Sequence, residues 1–281
     1  MSDIFSGLES MGLVGLSSVN IYEEEKTEEK TDKPSVIIPE IKETDYIFDK
    51  KVKCPMCDKE FLTKTVKTGK AKSMGADSDL RPKYANFDPI KYDAIACPHC
   101  GYASLSRFYG PLSSVQIKLI KEQVAAKFSK LPETGETYSY DDALGRYKLA
   151  LLNSIVKKSK VSERAYTCLK TAWLYRGKRE NMKGDTDTAN ALKADCLNKE
   201  KEMLLNAFEG FVVSREKENF PICGMDEYTF DYLLADLAAR LQKYDMAVNF
   251  ASNVILSRTA PSRIKEKARD LRDSIKNKVN K

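Results

Sequence analysis

Beyond about residue 111 the apolar positions recur every three to four residues, the period of an amphipathic helix. Ile117, Ile120, Val124 and Phe128 follow Ser113, a candidate N-cap. After a turn at Pro132–Gly135, Tyr140, Leu144, Tyr147, Leu151 and Ile155 share one helical face. Similar patterns predict helices over about 162–179, 186–213, 226–242, 245–257 and 262–279. In the last of these, Ile264, Ala268, Leu271 and Ile275 form a stripe behind Ser262. Seven helices in succession, with no strand pattern between them, predict a helical array over 111–281.

A repeat lies inside that array. Tyr140-Asp141-x-Ala143-x-x-x-Tyr147-x-x-Ala150 returns as Tyr244-Asp245-x-Ala247-x-x-x-Ala251-x-x-Val254, the second copy preceded by Leu234-Ala235. This spacing resembles the tetratricopeptide repeat, in which small residues let paired helices approach and larger ones fill the groove to the next pair. The segment 228–256 fits best, while 162–213 is irregular and overlong. The expectation is a degenerate array of about three helix pairs with a capping helix; a plain helical bundle is the alternative.

The pattern upstream is different. Over 46–110, Glu60–Val66 and Lys91–Ala96 read as strands running out of and into two cysteine pairs, Cys54-Pro55-Met56-Cys57 and Cys97-Pro98-His99-Cys100-Gly101. Two thiolates separated by two residues grip one metal from a tight turn, whose backbone N–H groups spread the sulfur charge. Proline fixes φ at the start of each turn. Gly101 and Asp58, which follow the pairs, both tolerate positive φ. Cys54, Cys57, Cys97 and Cys100 are therefore the expected ligands of one structural zinc ion, with an iron or iron–sulfur centre as the alternative. The chain's one histidine, His99, sits between two ligands of one turn and reads as an exposed tip residue. A catalytic zinc would need an open position, and a triad needs a histidine elsewhere. No convincing catalytic constellation remains, so the expectation is a non-enzyme.

Charge and cysteine use set the context. Residues 1–50 hold 5 Lys against 12 Asp and Glu, leaving 42 basic and 29 acidic residues in the remainder. Segment 19–45 is acidic and reads as a disordered linker; segment 1–18 carries Ile4, Leu8 and Met11 on one helical face and is a candidate docking peptide. No run approaches the roughly eighteen apolar residues of a spanning helix, so no membrane insertion is expected. No secretory signal is evident, so the default address is cytoplasmic. Seven cysteines, an odd number, argue against a disulfide framework. Cys168 and Cys196 read as core residues, and Cys223 as a loop thiol.

The 39 residues at 58–96, between the pairs, far exceed the roughly 15–20 of a compact four-cysteine site. Within them Asp77, Asp79, Arg81, Tyr84 and Asp88 form a polar cluster, either a second site or salt-bridged loop structure. The run from Cys54-Pro-Met-Cys-Asp-Lys-Glu-Phe61 through Asp77-x-Asp79-Leu80, Tyr84 and Asp88-Pro-x-x-Tyr92 to Cys97-Pro-His-Cys-Gly-Tyr-Ala103 resembles the bacterial domain of unknown function 2225 family. That resemblance covers about 46–256 and implies a cysteine domain joined to a tetratricopeptide-like helical region. It also implies a further cysteine after the D-x-D element in many members; Arg81 stands there in this chain. The expected fold class is thus α+β, predominantly α: a small zinc-ribbon-like domain at 46–110 with a long insertion, then a tetratricopeptide-like domain at 111–281. The expected role is an adaptor or scaffold engaging protein partners through the helical surface. The alternative is nucleic-acid binding by the basic ribbon region, with Lys64, Lys67, Lys70 and Lys72 near Tyr84 and Tyr92. A metal-dependent enzyme ranks third.

Overall fold

The computed structural model describes residues 42–279. The candidate docking segment 1–18 and most of the expected linker lie outside the described residues. Six short strands come first: β1 (Ile47–Lys53), β2 (Glu60–Val66), β3 (Ser73–Ala76), β4 (Pro82–Tyr84), β5 (Ala94–Ala96) and β6 (Ala103–Leu105). They pair as three antiparallel hairpins, β1–β2, β3–β4 and β5–β6. Seven helices follow: α1 (Ser114–Ile120), α2 (Tyr140–Val156), α3 (Val161–Asn181), α4 (Asp187–Lys217), α5 (Glu227–Arg240), α6 (Tyr244–Leu256) and α7 (Ser262–Val279). The fold is α+β and predominantly helical, as the periodicity implied.

Helix starts follow side-chain chemistry. Ser113 accepts from Gln116 N while Gln116 answers to the Ser113 N–H, a capping box that opens α1. Ser139 and Asp142 do the same for α2, and Thr186 and Asp226 cap α4 and α5. α1 continues through a wide π turn at Lys121–Ala125, which keeps Ile120 and Val124 buried on one side.

α3 and α4 run antiparallel: Arg176 and Arg179 pair with Glu200 near one end, and Ser162 bonds Glu218 near the other. α5 packs on α4 through Phe211 and Phe230, ring centroids 5.2 Å apart, and then on α6 and α7. The two repeat copies bury the same three positions, Ala143, Tyr147 and Ala150 in α2 and Ala247, Ala251 and Val254 in α6. The main core spans both halves of the chain, since Ile90, Ala94 and Leu105 belong to the same cluster as Leu169, Trp173, Phe211 and Phe230.

Two expectations need correction. Lys91–Ala96 is not one strand: Pro89–Tyr92 is a 3-10 turn and only Ala94–Ala96 is extended. The Asp88 side chain accepts from Ile90 N and caps that turn, so local Asx chemistry overrides β-propensity. On α2 the buried face is rotated from the expected stripe. Asn153 and Ser154 are buried while Ile155 is 52% exposed.

Candidate metal centre

The cysteine pairs occupy the tips of two hairpins. Lys53 pairs with Glu60 as the last step of β1–β2, and Ala96 with Ala103 as the last step of β5–β6. Each tip is built alike. Cys54 N donates to Lys59 O and Asp58 N to Cys54 O, both at 2.9 Å; Cys97 N donates to Tyr102 O at 2.8 Å and Gly101 N to Cys97 O at 3.1 Å. Asp58 and Gly101 both have positive φ, 60° and 71°. Gly101 is also sterically required, because a Cβ there would meet the Phe128 ring at 2.5 Å.

The four sulfurs converge within 4.8 Å of one another. Cys54 Sγ lies 3.7 Å from Cys100 Sγ, and Cys57 Sγ 3.8 Å from Cys97 Sγ. A tetrahedron with metal–sulfur bonds of about 2.3 Å has edges of about 3.8 Å. The spacing is far longer than the roughly 2.05 Å of a disulfide. The donor set therefore fits a four-thiolate metal ion. The Cys54 thiol is drawn far below its ordinary value, first by the hydrogen bond from Cys100, then by Cys97 and by the backbone N–H groups of Cys57 and Met56. The same contacts push Cys100 upward as donor to Cys54. Four thiolates at this distance repel one another strongly, and a divalent cation is what lets all of them ionise.

Three of the four ligands are buried and Cys57 is half-buried. Phe61, Tyr102, Ile120, Val124 and Val156 pack around Cys54, Cys97 and Cys100. The centre thus lies where both hairpin tips meet α1, the π turn and the end of α2. Asn153, fully buried on α2, donates from Nδ2 to Gly101 O at 2.9 Å and holds the second tip to the helix. The Tyr109 hydroxyl is buried with no nitrogen or oxygen partner among the described residues. Burial raises its pKa, and the neighbouring Cys54 sulfur adds to the rise. Asn153 and Tyr109 carry no sequence signal of belonging to the site, because they reach it from other elements; Tyr102 adjoins the second pair on its own hairpin. His99 is exposed, with Nε2 3.4 Å from Glu60 O.

The other candidates divide. Asp79 is fully buried, accepting from Trp173 Nε1 at 3.0 Å and from Arg176 Nη1 and Nη2 at 3.1 and 2.6 Å. Asp77 joins Arg176 at 3.1 Å and Lys83 at 2.5 Å. Arg81 bonds Glu180 at 2.8 Å, and Asp88 accepts from Tyr140 Oη at 3.1 Å. Tyr84 stands apart from this network, tilted against Phe87. Asp77, Asp79, Arg81 and Asp88 thus fasten the insertion to α2 and α3. Tyr92 is buried and stacked on Tyr138 at 5.2 Å, so it offers no face to a nucleic-acid base. Lys64 pairs with Asp49 at 3.5 Å, and Lys67 Nζ donates to Asp45 O at 3.0 Å. Cys168 and Cys223 are pushed up to about 11 by burial, and burial also raises Cys196.

A protein-family model described as an uncharacterized protein conserved in bacteria (DUF2225) matches residues 47–275, and the chain belongs to that family. No curated protein and no solved structure matches it. No helix among the described residues is long and apolar enough to cross a membrane.

Proposed function

We propose that this family member is a non-enzymatic scaffold in which one structural zinc ion, held by Cys54, Cys57, Cys97 and Cys100, ties a zinc-ribbon-like pair of hairpins to a tetratricopeptide-like helical surface for a protein partner. The observation that carries the reading is the cluster of four sulfurs within 4.8 Å of one another, two pairs of them at 3.7 and 3.8 Å, on two hairpin tips of like design. Four thiolates fill a tetrahedral shell and leave no position for water or substrate, which favours a structural over a catalytic ion. Bound there, zinc supplies charge neutralisation and cross-linking. The chain's own residues do the rest: Asn153 anchors one tip, and Phe61, Tyr102 and Ile120 exclude water.

The repeat-like reading draws support from the matching buried positions of α2 and α6, of which Ala143 and Ala247 are both small. Leu152 and Ile155, about half exposed on α2, give the helical face apolar contact points. Thiolate ligands that must stay reduced suit the cytoplasm. Affinity capture with the full chain, loaded with zinc, tests the scaffold role: a stoichiometric protein partner supports it. Retention of nucleic acid at low salt with no protein partner would replace it with the nucleic-acid reading.

A further inference from the structure

The polar residues around Arg81 and Asp88 also wall a cleft of about 470 Å³ between the insertion and the facing ends of α2 and α3. That volume falls within the range of small-molecule sites. Two of its cations have been taken out of water, Arg81 at 6% exposed and Lys91 at 7%, while Lys83 and Glu180 stay about half exposed at its rim. The helix gives way to them. Gly177 lies inside α3, where glycine costs stability relative to alanine. A Cβ there would lie 2.9 Å from both Asp88 Oδ2 and Tyr140 Oη. Tyr140 donates to Asp88 and accepts from Asn181 Nδ2 at 3.1 Å, which fixes the carboxylate against the helix.

Hydrogen bonding in the cleft is incomplete at one residue. Lys91 is satisfied by Glu43 at 2.6 Å. Arg81 spends Nη1 on Glu180. Its Nε is buried with no partner among the described residues, and its Nη2 stands 3.9 Å from Asp88 Oδ2, beyond hydrogen-bonding distance. The Nε/Nη2 edge of a guanidinium is a two-pronged fork that matches a carboxylate. Opening the long Arg81–Asp88 pair a little further would admit one.

A simple anion is not favoured, because the cleft is balanced. Arg81, Lys83 and Lys91 face Glu43, Asp88 and Glu180. A ligand carrying both charges matches that arrangement: its carboxylate sits on Arg81 and its ammonium lies toward the acidic side chains. Tyr84, Phe87 and Met74 supply an apolar wall for what lies between. We propose that this cleft binds a small zwitterion of the free α-amino-acid class, seated through its carboxylate on the unpaired edge of Arg81.

The test is isothermal titration of the zinc-loaded full chain with each common L-amino acid in turn. The expected result is saturable one-to-one binding of at least one, in the micromolar to millimolar range. For the tightest binder, the amide (no carboxylate) and the N-acetyl form (no free ammonium) should each lose about tenfold or more in affinity. Arg81→Lys keeps the charge but removes the fork, and should lose about as much. Absence of saturable binding by any amino acid overturns the proposal. So does an N-acetyl form that binds as well as its parent, which would make the cleft a plain anion site. Undiminished binding by a folded Arg81→Lys protein also overturns it. The amide and N-acetyl arms use the unaltered protein and decide the matter even if the variant does not fold.

Discussion

Asp79→Asn is the sharpest single perturbation of the fold. Asp79 has no exposed surface and its two oxygens accept three hydrogen bonds, one from Trp173 and two from Arg176. The amide has nearly the same volume but turns one oxygen into a donor, which must then face an indole or guanidinium N–H. Breaking a buried pair by removing one partner costs about 3–5 kcal/mol when the other charge is left alone. Arg176 keeps Glu200 at 2.7 Å and Asp77 at 3.1 Å, which argues for the lower end, about 3 kcal/mol. In a unit of this size that is a fall in Tm of about 6–12 °C. Asp77→Asn is the internal control. Its side chain is 16% exposed and pairs with a half-exposed Lys83 as well as with Arg176, so its loss costs about 1 kcal/mol. Thermal and urea unfolding measure both. Trp173, the single tryptophan, reports locally, and its emission should shift to the red in Asp79→Asn as the insertion lifts from α3. An Asp79→Asn cost no larger than that of Asp77→Asn would refute the view that this buried pair fastens the insertion.

Three further outcomes follow from the geometry. Asn153→Ala removes the anchor on Gly101 O and should cost about 1–3 kcal/mol and speed metal release to a chelator; an unchanged release rate would show that the contact does not brace the centre. Native protein at pH 8 should resist alkylation at Cys168, Cys196 and Cys223, whose burial holds them protonated, while chelation should expose the other four to the reagent; mass mapping distinguishes them. Asp88 is raised by burial, against the opposing pull of the Ile90 N–H and Arg81. Between the ordinary aspartate value and that raised one, the folded chain holds a proton that the unfolded chain has released. Asp88 therefore costs stability as pH rises through that window. Asp88→Asn, which keeps the oxygen that caps the 3-10 turn, should flatten this part of the stability profile, and a slope as steep as wild type would count against it.

What the sequence made legible was local. Two C-x-x-C turns announce themselves because ligands, proline and the positive-φ position all lie within five or six residues. The helices were readable because long amphipathic stripes repeat their signal over several turns. β1 was not readable: in Ile47–Lys53 only Ile47 is fully buried, since a two-stranded hairpin exposes most of both faces and erases the alternation. The stripe on α2 misled because Ile155 continues the apolar period yet faces solvent, while Asn153 is buried to reach a carbonyl 52 residues away. Asp79 finds Trp173 across 94 residues. No spacing rule in a single chain links such pairs, and these long-range contacts merge the cysteine region and the helices into one core.

The proposed zinc ion on Cys54, Cys57, Cys97 and Cys100 is open to direct measurement. Elemental analysis of protein purified without added metal or chelator tests it most directly, with Cys97→Ser analysed beside it. One zinc per wild-type chain and marked loss of zinc from the variant are expected. A metal-free wild-type protein that is nonetheless folded, or one carrying iron at that stoichiometry, would contradict it.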